Sequence, residues 1–206
     1  MHKYNCNILP LKLDEIATAA TVCAAAMNEN PLHIKVFGTN PHLRHLRLKR
    51  MFPALLTYVK RKGELYGAFI DGNLIGVIGM LPPNKCQPTL RDMLQLLPRM
   101  ICTNSPLGSL RLAIWLGTWA RIDPNQPHWH LGPLAIMPQW QAKGIGTQMI
   151  NFTINHCATD PLYLETDKPS NVKLYQRFGF QVLATPTILG VPSWIMLRPN
   201  LYVSPH

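Results

Sequence analysis

The chain has 206 residues, of which 47% are hydrophobic and only 15% charged, with a formal net charge of +10. That length suits one domain with a sizeable core, spanning 1–206, and the composition is that of a globular rather than a disordered chain. No apolar run reaches the roughly 20 residues needed to cross a bilayer; the nearest, Leu107 to Ala120, is interrupted by Arg111.

Asp14 and Glu15 precede the Ala-rich segment, which does not suit a signal peptide, so the expected location is the cytoplasm. The five cysteines are odd in number and their spacing matches neither zinc ligation nor a disulfide framework, so free buried thiols are expected. His42 and His45 share a helix face without a third ligand, and no metal site is implied.

In chain order, Tyr4 to Leu9 reads as a first strand, and Asp14 starts a helix running to Met27, where Asn28-Glu-Asn-Pro31 breaks it. A loop through Gly38-Thr-Asn-Pro41 leads to a basic amphipathic helix, Pro41 to Lys60, kinked or divided at Pro53. Its basic residues, Arg44 to Lys62, suit either a nucleic-acid reader or a solvated basic face; its leucines favour the second. A basic surface also assists encounter with an anionic ligand. Leu65 to Ile70 and Leu74 to Met80 form a hairpin about Asp71-Gly72, and Pro82-Pro83 ends it. Two helical stretches follow, near Leu90 to Met100 and Leu107 to Ala120, before the sheet resumes at His128.

Leu134 to Ile136 is an apolar run suited to a buried strand, stopped by Pro138. Gly144-Ile-Gly146 then bends the backbone into a periodic helix through Thr147, Met149, Ile150, Thr153 and Ile154. A helix starting there points unpaired N–H groups and a positive dipole end at the loop, which makes an anion site. Further on, a strand (Leu162 to Thr166) precedes a short helix (Asn171 to Phe178), a Gly179 stop and another strand from Phe180.

At these two stretches the sequence resembles the GNAT superfamily of acetyl-CoA-dependent N-acetyltransferases. Gln141-x-x-Gly144-x-Gly146 matches the family's pyrophosphate loop, and Asn171-x-x-x-Tyr175-x-x-x-Gly179-Phe180 matches its second signature, in the expected order. The resemblance implies a mixed α/β fold. Its central sheet would be mainly antiparallel and splayed between two strands at the cofactor site, with helices on both faces. It is weakest across 82–127, where a helical insertion replaces a short connection. Phe37 near Asn30-Pro31, His128-Trp-His130, Leu164-Glu-Thr166 and Tyr175-Gln-Arg-Phe-Gly-Phe180 look most like the puromycin N-acetyltransferase-like branch, which does not make puromycin the substrate.

The function implied is transfer of an acetyl group from acetyl-CoA, a cosubstrate, to a primary amine by direct attack. That chemistry needs a held thioester, a neutral amine, a stabilised oxyanion and a proton for the leaving thiolate. The resemblance gives cofactor contacts to Gln141, Ala142, Lys143, Gly144, Ile145, Gly146 and Thr147, to strand backbone at Leu134, Ala135 and Ile136, and to Asn171 and Tyr175. For Asn171 an N-cap role alone is the other reading. Tyr175 is the expected general acid, since a phenol of pKa about 10 stays protonated beside a thiol of about 8.5.

The base is less plain, because Gly132 stands where many family members carry a Glu. His130, sharing the face of position 132, and Glu165 on the neighbouring strand are the two alternatives, with a water relay as a third. Trp115, Trp119 and Trp129 are either core or acceptor-pocket walls, and the insertion with Asn30 to Thr39 would supply that pocket. The expected partner is a small-molecule amine, without nucleic acid or membrane, in a monomer or homodimer. A protein Lys or N-terminal acetyltransferase remains an alternative, as does a non-catalytic CoA-sensing or nucleic-acid-binding module. Tyr175 argues against a dead site; the missing Glu at position 132 argues for it.

Overall fold

Asp71 and Gly72 adopt φ values of +49° and +75°, the paired left-handed geometry whose twist matches a tight antiparallel hairpin. The sheet is assembled around that hairpin. A computed structural model describes residues 4–157 and 160–200, with the backbone alone at Ile101; the two ends of the expected 1–206 domain lie outside the described residues.

The N-terminal half contains β1 (Asn7–Pro10), α1 (Ile16–Met27), α2 (Pro31–Phe37), α3 (Pro41–Lys62), β2 (Glu64–Ile70) and β3 (Asn73–Leu81). The inserted segment contributes α4 (Leu90–Ile101) and α5 (Pro106–Ile122). Next come β4 (Trp129–Ile136), α6 (Ile145–His156), β5 (Leu162–Thr166), α7 (Pro169–Gln176), β6 (Gln181–Ala184), β7 (Thr187–Ile188), β8 (Val191–Pro192) and β9 (Trp194–Arg198). A seven-stranded sheet runs β1-β2-β3-β4-β5-β9-β6, with β7 and β8 forming a separate ribbon. Every neighbouring pair is antiparallel except β4 with β5, which α6 connects as a crossover helix.

Each face of the sheet is covered by its own helices. On the first face Val77, Leu81 and Ala135 pack against α1 to α5 through Ala19, Cys23, Leu48, Phe52 and Trp115. On the second, Ile78, Met80, Leu131, Leu164 and Met196 pack against α6 and α7 through Ile145, Met149, Val172 and Tyr175. The insertion is joined to the first layer by polar contacts as well. Lys62 Nζ lies 2.8 Å from Asp92, Asn104 donates to the Val36 carbonyl and Arg111 to that of Lys35.

Several elements differ from the sequence expectation. The segment after Asn28 is no simple break: Pro31 at the first position of α2, behind an extended Asn30, starts a new helix. Pro53 does not divide α3, whose helix runs through it from Pro41 to Lys62. The seventh helix begins two residues early, at Pro169, and ends at Gln176, while the strand after Gly179 starts at Gln181. Asp14 lies in a 3₁₀ turn ahead of α1. The cysteines are free, but Cys102 is exposed and Cys6 and Cys86 are only half-buried.

Arg44 is the largest departure. On a helix expected to expose its basic residues, this side chain is 2% exposed. Its guanidinium donates to the carbonyls of Asn28, Gly38 and Thr39 and pairs with Glu29 at 2.7 Å. One cation therefore satisfies three carbonyls where α1, α2 and α3 meet. Arg44→Ala empties the space of a buried side chain and takes the donor from three part-buried acceptors, a loss of roughly 3 kcal/mol. Differential scanning calorimetry is expected to show Tm lowered by about 6–12 °C, whereas Glu29→Gln, at a side chain 68% exposed, changes it little.

Candidate active site

Parallel pairing between β4 and β5 is confined to Trp129 with Leu162 and His130 with Tyr163. Beyond them β4 stays bonded to β3 as far as Ile136, and β5 to β9 as far as Thr166. The two strands therefore diverge, leaving inner edges that do not pair with each other. Buried backbone edges need hydrogen-bond partners, and a ligand with its own amides can supply them as an added strand does. Leu134, Ala135 and Ile136 lie along this edge.

Register within β4 shifts where Gly132 and Pro133 stand. Ile78 faces Leu134 but Met80 faces Leu131, so β4 carries one extra residue. Proline cannot donate to a ladder, and a bulge is where an inner strand tolerates it. The bulge resets the alternation: Leu131 and Leu134 both turn to the second face, while Ala135 joins the first. A side chain placed at Gly132 would meet nothing within 4 Å, so the first face is open there.

The loop after β4 is shaped for a helix start. Ala142 and Gly144 adopt φ of +59° and +86°, the second in a region that favours glycine. Helix α6 has no side-chain cap. The first intrahelical bond, Gln148 N to Gly144 O at 3.1 Å, leaves the amides of Ile145, Gly146 and Thr147 outside the helix's own hydrogen bonding. Together with the dipole they form an anion site. Gln141 is exposed, and its Nε2 donates to the Ile136 carbonyl at 2.9 Å, bracing the loop against β4. Lys143 holds its ammonium 4.7 Å over the Trp140 ring and 5.4 Å over that of Tyr4, adding positive charge beside the loop.

On the same face α7 presents Asn171 and Tyr175. Lys168 occupies the cap position, so Asn171 sits inside the helix and donates to Thr166 Oγ1 at 3.2 Å, tying α7 to the end of β5. Tyr175, 7% exposed, packs with its ring 5.7 Å from that of Phe180. Burial pushes its phenol above the ordinary value, so the hydroxyl keeps its proton at neutral pH.

The opposite face holds the two alternative bases, and they touch. His130 Nε2 lies 2.9 Å from Glu165 Oε2, with side chains 24% and 4% exposed. Because a carboxylate only accepts, Nε2 donates and Nδ1 is left as the imidazole's acceptor nitrogen. Burial acts to lower the His130 pKa, but the charge and hydrogen bond of Glu165 outweigh it and hold the pKa above its ordinary value. Acid and base candidates thus stand on opposite faces of the sheet, with the split between β4 and β5 joining them.

Near the His130–Glu165 pair lie α2 and α5 of the insertion. Asp167, two residues beyond Glu165, accepts from Leu32 N at 2.6 Å and so fastens the first turn of α2 to the end of β5. His33 of α2 stacks edge-on to Trp115 at 5.0 Å, and Trp115 to Trp119 at 4.9 Å. Trp129 belongs elsewhere; it donates to Asp160 and packs on the second face. Burial, then Lys168 and Arg44, push His33 down to about 3, so it is neutral. Sequence reading missed His33 and Asp167, whose partners Trp115 and Leu32 lie far along the chain, and the Asp123–His128 pair at 3.2 Å, which a short loop brings together; the Asn30-Pro31 helix-start signal was a local cue for α2.

Comparison with known proteins agrees with this geometry. The model of the Acetyltransferase (GNAT) family matches residues 38–180, more than half of the chain. Over 73 residues the chain is 30% identical to N-alpha-acetyltransferase 50 of Danio rerio, a match covering 32% of this chain and 44% of that relative, so less than half of the relative's length is spanned. Among solved structures, histone acetyltransferase HPA2 and related acetyltransferase from Corynebacterium glutamicum superposes with a TM-score of 0.75 at 20% identity, covering 98% of this chain and 100% of that one. A GNAT family acetyltransferase from Brucella melitensis, in complex with acetyl-CoA, gives 0.53 at 16% identity over 100% of this chain and 94% of that one. The ribosomal-protein-S18-alanine N-acetyltransferase of Escherichia coli gives 0.54 at 14%, over 97% of each. The chain belongs to the GNAT family of acetyltransferases, enzymes that use acetyl-CoA.

Proposed function

We propose that the protein transfers an acetyl group from acetyl-CoA to the primary amine of a small molecule, using His130 as base, Glu165 to orient it and Tyr175 as acid. The observation carrying this reading is the 2.9 Å contact between His130 and Glu165 beside the divergence of β4 and β5. Acetyl-CoA supplies the thioester; the amides of Ile145, Gly146 and Thr147 hold its pyrophosphate, and the free edge at Leu134 to Ile136 holds its arm. Nδ1 of His130 takes the ammonium proton, which the Glu165 carboxylate stabilises through Nε2. The Tyr175 hydroxyl, on the other face, gives a proton to the leaving sulfur.

The small-molecule assignment rests on the covering of the first face by α2 and by α4 and α5 of the insertion. In our reading these helices cap the acceptor side of the site, which suits a compact amine better than an extended peptide. The same insertion supports a place in the puromycin N-acetyltransferase-like branch, without naming the acceptor. A protein N-terminus is the second reading, favoured by the stretch shared with N-alpha-acetyltransferase 50. Thiol release measured across a panel of small amines and of N-terminal peptides decides between them. Our reading expects a kcat/KM at least about tenfold higher for the best small amine, and a peptide preference overturns it.

Cofactor placement has its own test. A Cβ at Gly146 would meet only Ile136 Cγ1, at 3.9 Å, so Gly146→Val fits the fold. In our reading it fills the space of the pyrophosphate. CoA should therefore raise the Tm of the wild type by the mass-action term and leave that of the variant unmoved; equal shifts remove the loop from the binding site.

Three variants test the chemistry. Tyr175→Phe should lower kcat by roughly 10²–10⁴-fold with little change in CoA affinity. The acidic limb of the wild-type kcat/KM profile should lie above about pH 6.5, because the His130 pKa is raised and activity is lost as that ring gains its proton. His130→Ala should abolish the limb. Glu165→Gln should move it to lower pH, since losing the carboxylate charge lowers the imidazole's pKa; disappearance of the limb in Glu165→Gln would make Glu165 itself the base.

A further inference from the structure

Two residues before His130 on the same face, His128 is 3% exposed. Both of its ring nitrogens face acceptors: Nδ1 lies 2.8 Å from the Gln126 carbonyl oxygen and Nε2 3.2 Å from Asp123 Oδ1. Nδ1 donates to that carbonyl, and the carboxylate, at ion-pair distance but outside hydrogen-bond geometry, favours the charged ring. Tyr163 stands between the two histidines, its ring 4.9 Å from that of His128 and 5.1 Å from that of His130. Across this face the groups therefore succeed one another as Asp123, His128, Tyr163, His130 and Glu165. Two imidazole–carboxylate pairs share one aromatic wall.

We propose that His128 is a positioning residue for His130, a buried imidazolium beside its own carboxylate that steadies the intervening ring and opposes the pull of Glu165 and Asp123 on the His130 proton. The proposal rests on His130 being the base. A carboxylate 2.9 Å from an imidazole favours the protonated ring, and a ring that is already protonated cannot accept a proton from an ammonium. A charged His128 nearby counters that bias, to which Asp123 adds. In each turnover His130 takes one proton from the acceptor and releases it to water, while His128 keeps both of its own.

The groups facing this pair come from every neighbouring segment. Asp123 follows α5, Cys86 lies in the loop after β3 with Sγ 3.3 Å from the His128 carbonyl, and Tyr163 and Glu165 come from β5. Burial acts to lower the His128 pKa, but the neighbouring Asp123 carboxylate, Cys86 thiol and Gln126 carbonyl push it up to about 10. On His130, burial and the His128 charge lower the pKa while Glu165 and Asp123 raise it.

The test is His128→Gln, which removes the charge and keeps a polar side chain of similar length. The acidic limb of kcat/KM should move up by roughly one pH unit, a tenfold loss below the limb, with KM for acetyl-CoA unchanged. In the wild type, NMR titration of the imidazoles should show His128 protonated from about pH 6 to pH 8 while His130 titrates within that window. A folded variant with an unmoved limb overturns the proposal, and so does a His128 that titrates in the ordinary histidine range. If the variant does not fold, the wild-type titration decides alone. Failure of the base assignment reads out separately, as a limb that survives His130→Ala.

Discussion

The site depends on the short parallel pairing of β4 with β5. Two residue pairs, Trp129 with Leu162 and His130 with Tyr163, are joined, and then the strands separate. Antiparallel partners on their outer sides hold each strand in place, so the inner edges cannot close on each other without breaking those ladders. A sheet normally leaves no buried edge unpaired. Here the geometry keeps one open, and an amide-bearing cosubstrate is the kind of molecule that completes it.

In the proposed mechanism the opening also brings the two faces of the sheet into one reaction. Side-chain alternation on β5 sends Leu164 and Thr166 towards α7 and Tyr163 and Glu165 towards the insertion. On β4 the extra residue at Gly132–Pro133 sends Leu134 to the α6 side while His130 stays on the other. Anion recognition at α6 and the phenol of Tyr175 thus lie on one side, and the His130–Glu165 pair on the other. A glycine at position 132 gives up a carboxylate on β4 but leaves open space, and the neighbouring strand supplies the charge from Glu165 instead.

Much of this was legible in the sequence because it is local. The Asp71-Gly72 hairpin, the glycine-turned start of α6 and the Asn171-to-Tyr175 helix each depend on residues close together in the chain. The seven-stranded order was not legible, since β9 inserts between β5 and β6 from the C-terminal end. For the base the sequence leaves His130, Glu165 and a water relay open. The structure brings the two side chains together at 2.9 Å, 35 residues apart in sequence. Arg44 failed for a similar reason: composition marks it as surface, but three carbonyls left by helix ends needed a donor inside. Pro133 was a readable sign of a bulge, because a proline inside a central strand cannot donate to its neighbour.

The most direct test of the account is a crystal structure of the protein with acetyl-CoA. The account predicts the pyrophosphate on the amides of Ile145, Gly146 and Thr147, the arm hydrogen-bonded along Leu134 to Ile136, and β4 and β5 still paired only at their first residues. A cosubstrate bound elsewhere, with those amides and that edge left free, would contradict it.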